Sequence, residues 1–168
     1  MLTKSTTIEF KYIPLICLVI YVPFHLTEEA LYNFPLWMSQ HYNLSKVLSY
    51  PHWLINNALF TFTLFIGLMV YFSNKIKFLS FGLGILIWSL MNAMEHVVFS
   101  LVDRNIVPGS ITAILFVLVS TYGFYILKKE NLLNIKLILQ SSIIAIAYWI
   151  IPISIIIFIG SYLAILFP

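Results

Sequence analysis

Five apolar runs, each close to the length a helix needs to cross a bilayer, occupy most of the chain. They cover about Tyr12 to Tyr32, His52 to Phe72, Phe78 to Leu101, Ile111 to Leu127 and Ile135 to Phe167. A hydrocarbon core about 30 Å thick takes about 20 helical residues at about 1.5 Å each. The alternative spanning structure, a closed β-barrel, requires apolar and polar residues in alternation. These runs are continuous, so the sequence predicts an all-α integral membrane bundle of five transmembrane helices. Composition agrees: 61% of the 168 residues are hydrophobic and 9% are charged, against about 25% charged in soluble domains. A water-soluble fold of this length could not hide so much apolar surface.

The connectors set the orientation. With five spans, Lys4, Lys11, Lys75, Lys77, Lys128, Lys129 and Lys136 share one side, and Lys46 and Arg104 share the other. The positive-inside rule then places the N-terminus in the cytoplasm and the C-terminus outside. A multi-pass protein of the plasma membrane is the expectation for a bacterial chain. The net charge of +3 is spread over these connectors. That pattern suits the lipid bilayer as partner, with no nucleic acid. The lone cysteine, Cys17, excludes an intrachain disulfide. The first run lacks a small-x-small cleavage site and continues into acidic residues, unlike a signal peptide.

The last run exceeds one span and contains Pro152, which removes a backbone donor. No polar turn divides it, so one long helix kinked near Pro152 is expected, within a single membrane-embedded domain over residues 1–168. The connector from Asn33 to Pro51 carries Phe34, Trp37, Tyr42 and Tyr50, and suits a short helix in the outer interface. Asn43-Leu44-Ser45 forms a glycosylation sequon there, best explained by chance.

Polar residues inside the runs gather at one depth. His25, Glu28 and Glu29 are spaced i, i+3, i+4, as are Asn92, Glu95 and His96, which places each set on one helical face. His52 and Asn56 begin the second run, which crosses in the opposite direction. Glu29 lies 18 residues beyond Lys11, and His96 lies 19 beyond Lys77. At about 1.5 Å per residue both reach the outer edge of the hydrocarbon. Ionisable groups within a membrane cost about 2.5–3.5 kcal/mol each on insertion scales, so they pair, bind something or face water. Two chemistries suit the set. His25, Glu29, Glu95 and His96 are candidate ligands of a divalent metal ion. Glu28, Glu29, Glu95, His25 and His96 are candidate acid–base groups. His52, Asn56 and Asn92 would support them.

Plainer readings compete at individual positions. Glu28 and Glu29 could be solvated beyond the membrane edge, and Glu95 with His96 could be a neutralising pair. His52 is read first as an interfacial residue beside Trp53, and His41 as a solvated connector residue. Asn56 and Asn57 could be hydrogen-bonding glue between helices, and Gly67, Gly82, Gly84 and Gly123 allow close packing. Asp103 and Arg104 read as a surface turn, ended by the Pro108-Gly109 break.

The run His25-Leu26-Thr27-Glu28-Glu29 at the end of a first membrane helix resembles the motif that names the HXXEE-domain family of small membrane proteins. Phe34-Pro35-Leu36-Trp37, Asn56-Asn57, Asn92 with Glu95 and His96, and Pro108-Gly109 also resemble that family's layout. The resemblance implies a polytopic membrane protein without an assigned biochemical function. It also implies that His25, Glu28 and Glu29 form a catalytic or metal-binding site. A looser analogy in architecture links the chain to sterol-isomerase and emopamil-binding-type bundles.

The leading expectation is a membrane-embedded enzyme acting on a lipophilic small molecule near the outer leaflet, by acid–base or metal-assisted chemistry. A proton- or ion-coupled carrier is the first alternative. The polar set lies at one edge, however, and no internal repeat of the transporter kind is visible. A non-catalytic structural subunit is the second. No P-loop, dinucleotide fingerprint or nucleophile elbow is present.

Overall fold

The computed structural model describes residues 10–42 and 49–166, with side chains through residue 158. Lys4, Lys46, the Asn43 sequon and Phe167 lie outside the described residues. All regular structure in the described residues is helical. It comprises α1 (Phe10–Leu31), α2 (Phe34–Tyr42), α3 (Tyr50–Ser73), α4 (Leu79–Asp103), α5 (Ser110–Lys129) and α6 (Ile135–Leu166). Five of these, all but α2, are long and apolar enough to cross a membrane. The protein is thus an all-α, multi-pass membrane bundle, and each span lies within a few residues of its apolar run. The short α2 occupies the long connector.

Helix α4 is central and packs most extensively on α5 and α6. Helices α1 and α3 close the bundle around it. Lipid is as apolar as a leucine side chain, so such helices associate through close packing and interhelical hydrogen bonds. Tyr148 of α6 lies against the Cα of Gly67 on α3, and Leu86 of α4 lies against Gly123 on α5. The Ser120 hydroxyl on α5 donates to the Leu86 carbonyl on α4 at 3.2 Å. Gly67, Gly82, Gly84 and Gly123 thus serve as contact points, as their small size suggests. Cys17 is buried in the same core. Helix α6 runs unbroken through Pro152.

Helix α1 changes its winding on the way to the polar end. It opens with a 3-10 turn, Phe10–Tyr12, becomes α-helical over Ile13–Val19, widens to π-helical over Ile20–His25, and ends α-helical over Leu26–Leu31. Pro23 lies within the widened stretch, and the Leu26 N–H reaches back to the Tyr21 carbonyl. Proline has no N–H, and its ring collides with the carbonyl four residues earlier. A wider turn relieves that collision, and such turns recur at functional sites. The widening rotates His25, Glu28 and Glu29 relative to the first half of the helix. Antiparallel α5 begins beside this end of α1 and finishes beside Phe10 and Ile13.

Candidate functional site

Three spans deliver side chains to one point at the polar end of the bundle. His25 and Glu29 project from the last turns of α1, and His96 from α4; all three are buried. His25 Nε2 lies 3.5 Å from Glu29 Oε1, and His96 Nε2 lies 3.4 Å from the same oxygen. One ligand atom from each of the three residues falls within 4.8 Å of the other two. The two imidazoles meet edge to face, their centroids 4.9 Å apart. The other Glu29 oxygen, Oε2, accepts the Trp53 Nε1–H from α3 at 3.1 Å. The carboxylate is therefore held by an indole on one side and shared between two histidines on the other.

Glu28 points elsewhere. Its Oε1 accepts the Ile111 N–H at 3.0 Å, and its Oε2 accepts the Thr112 N–H at 2.8 Å and the Thr112 hydroxyl at 2.6 Å. Gly109, the N-cap residue of α5, has no side chain to satisfy the first-turn N–H groups, and Glu28 supplies those acceptors from another span. Unsatisfied first-turn N–H groups and the helix dipole both favour a carboxylate there. The i, i+3, i+4 spacing thus divides the motif: His25 and Glu29 face each other, while Glu28 turns to α5.

Thr112 joins the two halves. Its Oγ1 lies 2.7 Å from His25 Nδ1. The hydroxyl has one proton, and its other neighbours, Glu28 Oε2 and the Gly109 carbonyl, are acceptors. The network therefore assigns a proton to His25 Nδ1, which donates to Thr112 Oγ1. The lone pair is left on Nε2, the atom facing Glu29, where it meets no hydrogen-bond partner among the described residues. Carboxylate-to-histidine relays of this kind orient imidazole ligands in metal sites.

His96 is fixed by packing. Gly109 has φ +91°, and a Cβ there would collide with the His96 ring. A residue with a side chain is therefore excluded twice, by backbone conformation and by space. Phe34 of α2 lies over the same imidazole at a centroid distance of 5.8 Å. Phe34 and Met38 pack on Trp53, so α2 covers the site.

Glu29, Glu95 and His96 line a cavity of about 140 Å³ with Asn56, Asn57 and Asn92. Asn57 accepts the Tyr21 hydroxyl at 2.5 Å and donates to the Trp53 carbonyl at 2.9 Å. Asn56 Oδ1 and Asn92 Oδ1 have no partner among the described residues. On the far side, His96 borders a groove of about 480 Å³ between α4 and α5, lined by Val97, Leu101, Ile114 and Val117, with Arg104 at its rim.

Of the sequence candidates, His25, Glu29 and His96 converge. Glu95, Asn56 and Asn92 border the adjoining cavity, and Glu28 caps α5. His52 is exposed and bonds to Ser49, at 2.6 Å. Its neighbour Trp53, about 100° further round the helix, faces Glu29 in its place. His41 is exposed, stacks on Trp37 and meets Asp103 at 3.4 Å. Sequence reading missed Thr112, Trp53 and Tyr21, and took Gly109 only as a break. Pro108-Gly109 followed by Ser110 and Thr112 marks a helix start, a signal that pointed to an unsatisfied N-terminus at the same depth.

Helical spans with a buried His/Glu cluster at one end define a class of multi-pass membrane proteins with a built polar centre. Within that class, the family model described as "protein of unknown function with HXXEE motif" matches residues 16–123. The chain belongs to that family. No curated protein and no solved structure matches it.

Proposed function

We propose that this protein is a membrane-embedded enzyme that acts on a lipophilic substrate at a metal centre held by His25, Glu29 and His96. One observation carries the reading: two imidazole nitrogens face a single carboxylate oxygen at 3.5 and 3.4 Å. The relay through Thr112 leaves a lone pair on His25 Nε2, and a lone pair opposite a carboxylate oxygen calls for positive charge between them. Ligands about 2.0–2.1 Å from a tetrahedral ion stand about 3.3–3.4 Å apart, close to these spacings. Two histidines and one carboxylate leave coordination positions open, as catalytic centres require.

A divalent ion bound there would supply Lewis-acid activation of a substrate oxygen or a water. The chain's own residues would do the rest. Glu29 and His96 border the small cavity, so a reacting group in it lies beside the centre. Glu95, on the same wall, would take up and return a proton. Phe34, Phe60, Trp88 and Trp149 give the cavity aromatic walls. The groove beside His96 opens between two spans, which suits a substrate arriving from the bilayer.

The test has two parts. Metal content is measured in detergent-purified protein and in the His25→Ala, Glu29→Gln double variant. Wild-type and Glu95→Gln proteins are also incubated with a membrane lipid extract, and the products are followed by mass spectrometry. Near-stoichiometric metal lost in the double variant, with a product that Glu95→Gln does not form, is the expected result. Wild-type protein that stays metal-free after metal loading rules out the metal centre. An unchanged lipid profile rules out the enzyme.

A further inference from the structure

The 140 Å³ cavity is more aromatic than a metal centre requires. Tyr21, Phe60, Trp88 and Trp149 form a continuous wall of rings. The Tyr21–Trp88 centroids are 4.9 Å apart at 81°, Phe60–Trp149 5.2 Å at 74°, and Trp88–Trp149 6.0 Å. The wall is rigid, because Tyr21 is tied to Asn57 and both Tyr21 and Trp88 are almost fully buried. Glu95 lines the same space, and among the described residues its carboxylate has no ion pair or hydrogen bond. Among the described residues, no lysine or arginine lines the space. Trp88 Nε1 and Asn92 Oδ1, on residues more than nine-tenths buried, also lack partners.

A carboxylate held in a membrane calls for a counter-charge. Aromatic faces with a carboxylate and no competing base form the surroundings in which ammonium groups are recognised, through the negative faces of the rings. Size agrees, since an engineered cavity of about 150 Å³ takes a benzene molecule, and a trimethylammonium group is of similar bulk. We infer that this cavity is a binding site for an organic ammonium group, caged by Tyr21, Phe60, Trp88 and Trp149 and neutralised by Glu95. Among the described residues, the cavity wall offers an anionic headgroup no Lys or Arg. Glu29 and His96 border the same cavity, so the ammonium group would adjoin the proposed metal centre, but the assignment rests on the rings and Glu95 and not on a bound metal.

The experiment follows tryptophan fluorescence of the full-length, detergent-purified protein during titration with choline. The comparison is its uncharged isostere, 3,3-dimethylbutan-1-ol, at constant ionic strength. Both titrations are run on chelator-treated and metal-loaded samples, so loss of the metal centre and loss of the ammonium site are read separately. Saturable binding of choline at least about tenfold tighter than the isostere is expected. That preference should vanish in Glu95→Gln. A Trp149→Leu variant that keeps the wild-type melting temperature should bind choline more weakly. Equal affinity for the two probes, absence of saturable choline binding, or a charge preference that survives both substitutions would overturn the assignment.

Discussion

Thr112 receives the carboxylate of Glu28 on its hydroxyl and its backbone N–H, at 2.6 and 2.8 Å, and so ties the end of one membrane span to the start of another. Since the same hydroxyl meets His25 Nδ1 at 2.7 Å, the cap of α5 and the orientation of His25 form one network.

Removing the hydroxyl while keeping the backbone N–H separates the two roles. In Thr112→Val the Glu28 cap persists through the N–H groups of Ile111 and Thr112, but His25 loses its orienting partner. Metal affinity, measured by competition with a chelator, should fall about 10–100-fold. Thr112→Ser should recover most of it. Equal affinity in all three proteins would show that the relay does not orient His25.

Glu28→Ala should act first on stability. It leaves the first-turn N–H groups of α5 without acceptors, and losing a helix cap costs about 0.5–2 kcal/mol. The melting temperature in detergent should drop, and Glu28→Gln, which retains an acceptor oxygen, should lie between. A Glu28→Ala protein as stable as wild type would mean that the cap carries little of the packing.

Gly109→Ala should be among the most damaging single-methyl additions in the chain. The residue has φ +91°, and the new Cβ would meet His96. Left-handed backbone at a non-glycine residue costs about 1–2 kcal/mol before any collision. Lower stability and lower metal content are expected together. Normal metal content would mean that His96 can yield without leaving the centre.

Two further outcomes follow from proton competition and from burial. Protons and metal ions compete for the same lone pairs on His25, His96 and Glu29, so metal affinity should rise with pH, as equilibrium dialysis at several pH values would show. An affinity that falls with pH would exclude imidazole ligands. His52→Ala should leave metal content unchanged, since His52 is exposed and, among the described residues, its side chain bonds only to Ser49; loss of metal there would move the site.

The spans were legible because a bilayer imposes a length and an apolarity that no other solvent demands. Lys11, Lys75, Lys77, Lys128, Lys129 and Lys136 flank these spans at one end of the bundle, and the polar motifs gather at the other. That His25, Glu29, His96 and Asn92 share one level of the bundle was legible for a related reason: the rise per residue converts sequence distance into position along the normal to that polar layer.

Rotation about that normal was not legible. The π-helical stretch over Ile20–His25 shifts the phase of everything after it, which a constant 3.6-residue period does not anticipate. That shift, with the meeting of α1 and α5, decided that Glu28 caps a helix while its neighbour Glu29 faces two histidines. Trp53 carries no mark in the sequence, and the helix start at Thr112 does not tell what meets it, because an indole or a hydroxyl becomes part of a polar centre only when another helix brings a partner to it. Membrane insertion, the number of spans and the depth of the polar layer therefore belong to the sequence alone, since solvent and helical rise determine them. Which atoms face one another in that layer belongs to tertiary structure, because it depends on how five helices turn against each other.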